Sequence, residues 1–312
     1  MTKQLIRIFA LGLLCFGLAL ALAACAGPQG EAGPAGPAGE SGATGPQGTA
    51  GEPGAPAPSY IVPGAGLKVK ISGAEFPADG KPVISLTITD ENGVPLKREA
   101  LEGYGFTLAQ IVVDETTGLS KYQSLLLREV EGQPYTSAGQ TVQPALAKAT
   151  QAFADSGGAW SELDAGGYTY TFTNTVTSEV NPILTTSVGV SAWKDARASV
   201  ANDVFTFVPA GGDPTVTREV VTTAACGACH NPIMIHGGTR RETALCVTCH
   251  TDQTTDPETG NTVEFKVLIH RLHSGTRLPS VQAGTPYQIV GFRQTVFNFS
   301  LGTWPQDTRN CA

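Results

Sequence analysis

Methionine is nearly missing from this chain: of 312 residues only Met1 and Met234 carry a thioether. Sulfur of that kind can therefore serve one metal centre at most. Charge is sparse as well, at 15% of residues, and no run of one sign occurs; a net charge of -7 excludes the basic surface that nucleic acid requires. Aromatics stand at 7%, while glycine (37) and proline (21) are abundant, which favours turns, strands and spacer over long helices. Between Cys25 and Cys226 there is neither cysteine nor histidine, so thiol and imidazole chemistry is confined to the ends of the chain.

At the beginning, Lys3 and Arg7 precede an apolar run from Ile8 that closes on Leu22-Ala-Ala-Cys25. About 17 residues is short for a spanning helix, and the basic start and small-residue end read as a secretory signal over 1–24. Its ending resembles the bacterial lipobox, in which Cys25 becomes the lipidated first residue of the mature chain and anchors it to a membrane.

From Gly27 to Gly54 glycine recurs at every third position, ten times without interruption. Only glycine fits the crowded axis where three polyproline-II chains wind together. The tract, within a segment 25–57, reads as a collagen-like spacer: either a homotrimeric stalk or a monomeric extended linker. At roughly 3.1 Å per residue it reaches up to about 90 Å.

Residues 58–212 alternate with period two. Leu67, Val69 and Ile71 are interleaved with Lys68, Lys70 and Ser72, and Ile84, Leu86 and Ile88 lead to an Asn92-Gly93 turn. Further strands are predicted at 106–113, 122–129, 168–176, 186–193 and 204–208. This pattern predicts a mainly β domain, a sandwich or small barrel, acting as scaffold or recognition module. Only Pro144 to Asp155, PALAKATQAFAD, reads as helical.

The chemistry lies in 213–312, which holds all five histidines and five of the seven cysteines. Cys226-Gly-Ala-Cys229-His230 and Cys246-Val-Thr-Cys249-His250 form C-x2-C-x16-C-x2-C, a spacing open to zinc, to disulfides or to covalent haem. Zinc leaves the histidine after each pair without purpose, and a bridge inside C-x-x-C is usually redox-active rather than structural. Haem c uses every position: two cysteines three apart form thioethers to one porphyrin edge, and the next histidine ligates the iron. His236, His270 and His273 remain, enough to give every iron a second histidine, and the last two are spaced to share one helical turn. Such saturation favours electron transfer over chemistry at an open iron. Cys311, alone near the end, reads as the first residue of a truncated third motif, so that the chain is expected to be an N-terminal fragment. The segment 213–285 is poor in regular pattern and is expected to take its core from haem.

These residues resemble the OmcA/MtrC-type outer-surface multihaem c-type cytochromes. The likeness is carried by CGACHNPIMIHGGTRRETALCVTCH, by IHRLHSG at 269–275, and by WPQDTRNC at 304–311. It implies a split β-barrel before a multihaem domain with little regular secondary structure. It also implies His230 and His250 as proximal ligands, and His236, His270 and His273 as distal ones. A lipoprotein at the outer cell surface is implied in turn, passing electrons to extracellular acceptors such as metal oxides or flavins, with other multihaem cytochromes or an outer-membrane conduit as partners. Two complete haem sites set against the family's ten, and the collagen-like tract, depart from that pattern. Two rival readings are a surface adhesion protein, in which the stalk and β domain bind a partner and the haems are secondary, and a multihaem enzyme with an open iron.

Overall fold

The structure, a computed structural model, describes residues 64–176 and 180–303. The signal, Cys25, the glycine-repeat tract and residues 304–312 with Cys311 lie outside the described residues. The chain divides into two compact units, Met1–Pro58 and Ser59–Ala312, and the second contains every described element.

That unit opens with β1 (Lys68–Glu75), β2 (Val83–Thr89), β3 (Gly103–Val113), β4 (Ser120–Ser124), β5 (Leu127–Glu131), β6 (Tyr135–Ser137), β7 (Gln140–Val142), β8 (Lys148–Ala152), β9 (Ala159–Glu162), β10 (Gly167–Thr171), β11 (Thr186–Lys194) and β12 (Ser199–Phe207). Two four-stranded antiparallel sheets result, ordered β1-β2-β10-β9 and β12-β11-β3-β4. One seam between them is closed by a side chain: the Ile71 N–H donates to the Asp203 carboxylate at 2.8 Å, where a backbone carbonyl would stand in a continuous ladder. The architecture is mainly β, as the alternation predicts. Val69, Ile71, Ile84, Leu86 and Ile88 point inward, and Lys68 and Lys70 outward. They meet Phe106, Leu108, Tyr170, Phe172, Val188 and Val190 in one core. Each such side chain contributes roughly 1.5–3 kcal/mol relative to leaving it in water. At the heart of that core the Tyr170 hydroxyl donates to the Asp155 carboxylate, whose second oxygen accepts the Thr173 and Asn174 amides, each at 3.1 Å.

The two central strands of the second sheet are buried on both faces. β3 and β11 carry unbroken buried runs, Gly105–Ile111 and Thr186–Ala192. Phe106, Leu108, Val188 and Val190 fill the core, while Thr107, Gly189 and Ser191 alternate with them and meet the C-terminal part of the unit. A strand face of small and polar residues is what close approach of another backbone requires.

Three expectations of secondary structure need correction, one helix and two strands. Pro144 to Asp155 is not a helix: Lys148–Ala152 is β8, paired antiparallel with β5 (Val130 opposite Ala149), and Asp155 bridges Phe106 through two 2.8 Å bonds. Its alanines, lysine and glutamine favour helix intrinsically, but the Ala145 and Leu146 amides bond to the Glu258 and Pro257 carbonyls at 2.9 and 3.0 Å, and tertiary pairing overrides propensity. The predicted strand 122–129 breaks at Leu125 and Leu126, which leave the ladder to enter the core. The predicted strand 168–176 stops at Thr171, where Asp155 takes over the following amides.

After β12 come four short helices, α1 (Thr223–Gly227), α2 (Thr243–Cys246), α3 (Phe265–Ser274) and α4 (Pro279–Gln282), and a hairpin of β13 (Gln288–Gly291) with β14 (Thr295–Asn298).

Candidate haem site

Both C-x-x-C-H motifs fold as the same helical turn. The Cys226 carbonyl accepts the amides of Cys229 (3.1 Å) and His230 (2.9 Å), and the Cys246 carbonyl those of Cys249 (3.2 Å) and His250 (3.0 Å). The first turn is started by Thr222, whose hydroxyl accepts the Ala225 N–H at 3.1 Å. The two turns are stitched together at their beginnings: the Thr243 N–H donates to the Thr223 hydroxyl at 3.0 Å, and the Thr243 hydroxyl donates to the Val221 carbonyl at 2.8 Å. The second turn is also fixed to the β sheet. Leu245 is fully buried beside Gly189, and the Thr248 hydroxyl donates to Thr107 Oγ1 at 2.8 Å.

The histidines are brought together in pairs. His230 faces His273 with ring centres 6.1 Å apart and planes at 73°; His236 faces His250 at 6.0 Å and 47°. In three of the five rings a backbone carbonyl engages Nδ1. His250 reaches Val263 at 2.8 Å, His270 reaches Lys266 at 2.7 Å, and His273 reaches Ile269 at 2.9 Å. A carbonyl fixes Nδ1 as the protonated nitrogen, so Nε2 keeps its lone pair for a metal. His270 and His273 stand on α3 as their spacing predicts, yet they point differently: His273 is half-buried against His230, and His270 is exposed. Among the described residues no group of three or more His, Cys, Asp or Glu side chains converges as a four-thiolate zinc cage requires.

Residues 218–312 match the family described as outer membrane cytochrome MtrC/MtrF-like, domains II/IV. The multiheme cytochrome MtrC of Shewanella baltica (strain OS185) is 26% identical over 217 residues, 66% of this chain and 30% of that protein. The crystal structure of the outer membrane decaheme cytochrome OmcA superposes with a TM-score of 0.65 at 26% identity, over 77% of this chain and 38% of the other. That of MtrC from Shewanella baltica OS185 gives 0.48 at 24%, over 68% and 33%. These likenesses support a relation to the OmcA/MtrC-type multihaem cytochromes, carried most directly by residues 218–312. The chain spans about a third of the length of these relatives.

Burial governs the electrostatics around the second motif. It pushes the Cys246 thiol up to about 11 although Arg240 pulls it down, and it raises Cys249 against the same charge. It lowers His250, where the Val263 carbonyl works in the opposite sense and Arg240 adds to the lowering. His236 falls to about 4, from desolvation first, then Arg240, then His250; its exposure to solvent tempers that push. The low-dielectric surroundings thus favour neutral imidazole, the form that ligates metal.

Sequence reasoning missed Arg240, whose charge acts on both cysteines of the second motif and on His236 and His250. It also missed the β residues that carry the second site, Thr107, Gly189 and Ser191. An isolated glycine within the strand run Ser187-Val-Gly189-Val-Ser191 was the available signal for a close backbone approach.

Proposed function

We propose that the chain is a lipid-anchored multihaem c-type cytochrome that carries electrons at the outer cell surface. Cys226 and Cys229 would hold one haem through thioethers and Cys246 and Cys249 a second, with His230 and His273 on the first iron and His250 and His236 on the second. The observation that carries this reading is the separation of the ring pairs, 6.1 and 6.0 Å. Each pair stands close enough that its two imidazoles could hold one metal ion between them.

Haem c, when bound, supplies a one-electron carrier, and two histidine ligands hold it at low potential without an open position. The chain's own residues orient the ligands, by the carbonyls on Nδ1, and set the two attachment turns side by side through Thr223 and Thr243. His270 and Cys311 would serve a third haem. The relatives' names, outer membrane and multiheme cytochromes, support an electron carrier at the outer membrane. The proposal extends to an exported lipoprotein acylated at Cys25, spaced from the membrane by the collagen-like tract, delivering electrons to metal oxides, flavins or partner cytochromes of an outer-membrane conduit. Trimerisation through that tract is part of the proposal.

The test is the mature protein made in a host that matures cytochromes c. A pyridine haemochrome spectrum together with a mass two haems above the processed polypeptide is expected, and low-spin ferric signals for both. A colourless product, or high-spin haem that binds added ligands at both sites, would overturn the reading.

A further inference from the structure

His236 adopts a backbone conformation that side chains with a Cβ avoid. Its φ is +52°, and Gly237 and Gly238 follow at +71° and +85°. Opposite stands a second left-handed turn, the connection from β11 to β12, where Asp195, Ala196 and Arg197 have φ of +55°, +51° and +72°. Non-glycine residues in this region cost roughly 1–2 kcal/mol each and persist only where their surroundings over-determine them.

Here the two turns determine each other. Arg197 Nη1 donates to the Gly237 carbonyl at 3.0 Å, so closely that a Cβ at 237 would lie 2.3 Å from that nitrogen. Ser191 Oγ and Asn202 Nδ2 both donate to the Thr239 carbonyl, at 2.8 and 2.9 Å. The Arg241 amide donates to Asn202 Oδ1 at 2.7 Å, and the Thr239 hydroxyl donates to the His236 carbonyl at 3.1 Å. The His236 loop is thereby fastened on both sides to the β domain.

His250 is referenced to the same strand. Gly189 seats Leu245, one turn ahead of His250, and Ser191, the next residue on that face of β11, holds the loop that carries His236. The loop bearing His236 and the turn bearing His250 are thus both anchored on β11.

We propose that the β11–β12 hairpin is a clamp that holds His236 at ligating distance opposite His250, with Arg197, Ser191 and Asn202 as positioning residues of the second haem site. The proposal rests on the reading of His236 as an axial ligand. It gives the β domain a task in haem ligation beyond that of scaffold.

The experiment uses the haem-loaded full chain, reduced with dithionite and exposed to carbon monoxide, alongside amide hydrogen exchange of residues 235–241. Wild type should bind no carbon monoxide. Ser191→Ala/Asn202→Ala combined with Arg197→Ala should bind up to one per chain and exchange the loop amides roughly tenfold faster or more, the effect of losing at least one net hydrogen bond. Arg197→Lys should stay close to wild type. Arg197 is exposed, so Arg197→Ala alone keeps the test open if the combined variant misfolds. His236→Ala is the reference. If it binds no carbon monoxide, His236 is not the ligand and the functional reading of that site fails. If it binds one while the clamp variants match wild type in both measurements, the clamp is wrong and the ligand assignment stands.

Discussion

Leu245 occupies the space that a side chain at position 189 would need: a Cβ built on Gly189 lies 2.4 Å from Leu245 Cδ1 and 2.7 Å from Thr107 Oγ1. The helix that ends at Cys246 therefore rests on bare backbone in the middle of a strand. Gly189→Val should lift α2 from the sheet and cost about 1–3 kcal/mol, the usual penalty for overpacking a filled site. Thermal unfolding of the haem-loaded chain measures the loss. The second haem should show the shifted spectrum and the first should not; equal perturbation of both would refute the local account.

Tyr170 supplies a pH dependence. Burial, and then the hydrogen bond to Asp155, raise its hydroxyl well above the ordinary value of 10.0; burial raises Tyr122 and Tyr287 too. The native chain keeps these protons while the unfolded chain releases them above about pH 10. The sign follows from linkage: their contribution is complete below pH 10 and is lost as pH rises beyond it, by up to about 1.4 kcal/mol per pH unit for each group. Tyr170→Phe should flatten the alkaline limb of stability against pH. At neutral pH it should cost about 1–3 kcal/mol, because the Asp155 carboxylate loses a buried donor. An unchanged alkaline slope would show that Tyr170 ionises as readily in the native state as in the unfolded one.

Arg240 makes an electrochemical prediction. Its positive charge stands among the ligands of the second site, and its Nε is buried without a hydrogen-bond partner. A fixed positive charge favours the reduced, less positive iron. Arg240→Leu should therefore lower one of the two reduction potentials, by roughly 40–90 mV if the charge acts from about 8 Å at an effective dielectric near 20. Spectroelectrochemical titration resolves the two couples. A shift of both, or an upward shift of either, contradicts this placement of the charge.

Parts of the molecule were legible in sequence for identifiable reasons. Strands such as Ile84–Ile88 have one face in the core, so alternation of residue type reports alternation of burial. The two cysteine–histidine turns were legible because the same five-residue spacing occurs twice, and each copy folds as the same local turn. Strand β8 was misread because Ala149 and Ala152 follow partners more than a dozen residues away in β5, not their own propensity. Which histidines face one another was beyond the sequence, since His230 meets His273 across 43 positions (273 minus 230) through packing alone. The clamp was hidden for the same reason: Arg197 and Gly237 are 40 residues apart, and an exposed arginine in a hairpin turn has no periodicity to betray it.

The two parts of the Ser59–Ala312 unit should also differ in how far they depend on haem. The β domain has its own closed core, from Leu67 to Ala201. From residue 218 onward, the buried apolar side chains among the described residues are Leu245, Val247, Phe265, Tyr287 and Val290, while Met234 and Ile235, beside His236, are 58% and 54% exposed. Five such side chains make a small core for more than eighty residues. Haem would supply further apolar surface here, as structural metal supplies folding energy in small metal-dependent domains. A chain with Cys226, Cys229, Cys246 and Cys249 all replaced by alanine should keep a protease-resistant core ending near residue 212 and lose amide protection across 218–303, apart from the turn around Leu245. Full protection throughout the haem-free chain would mean that the polypeptide alone specifies the site.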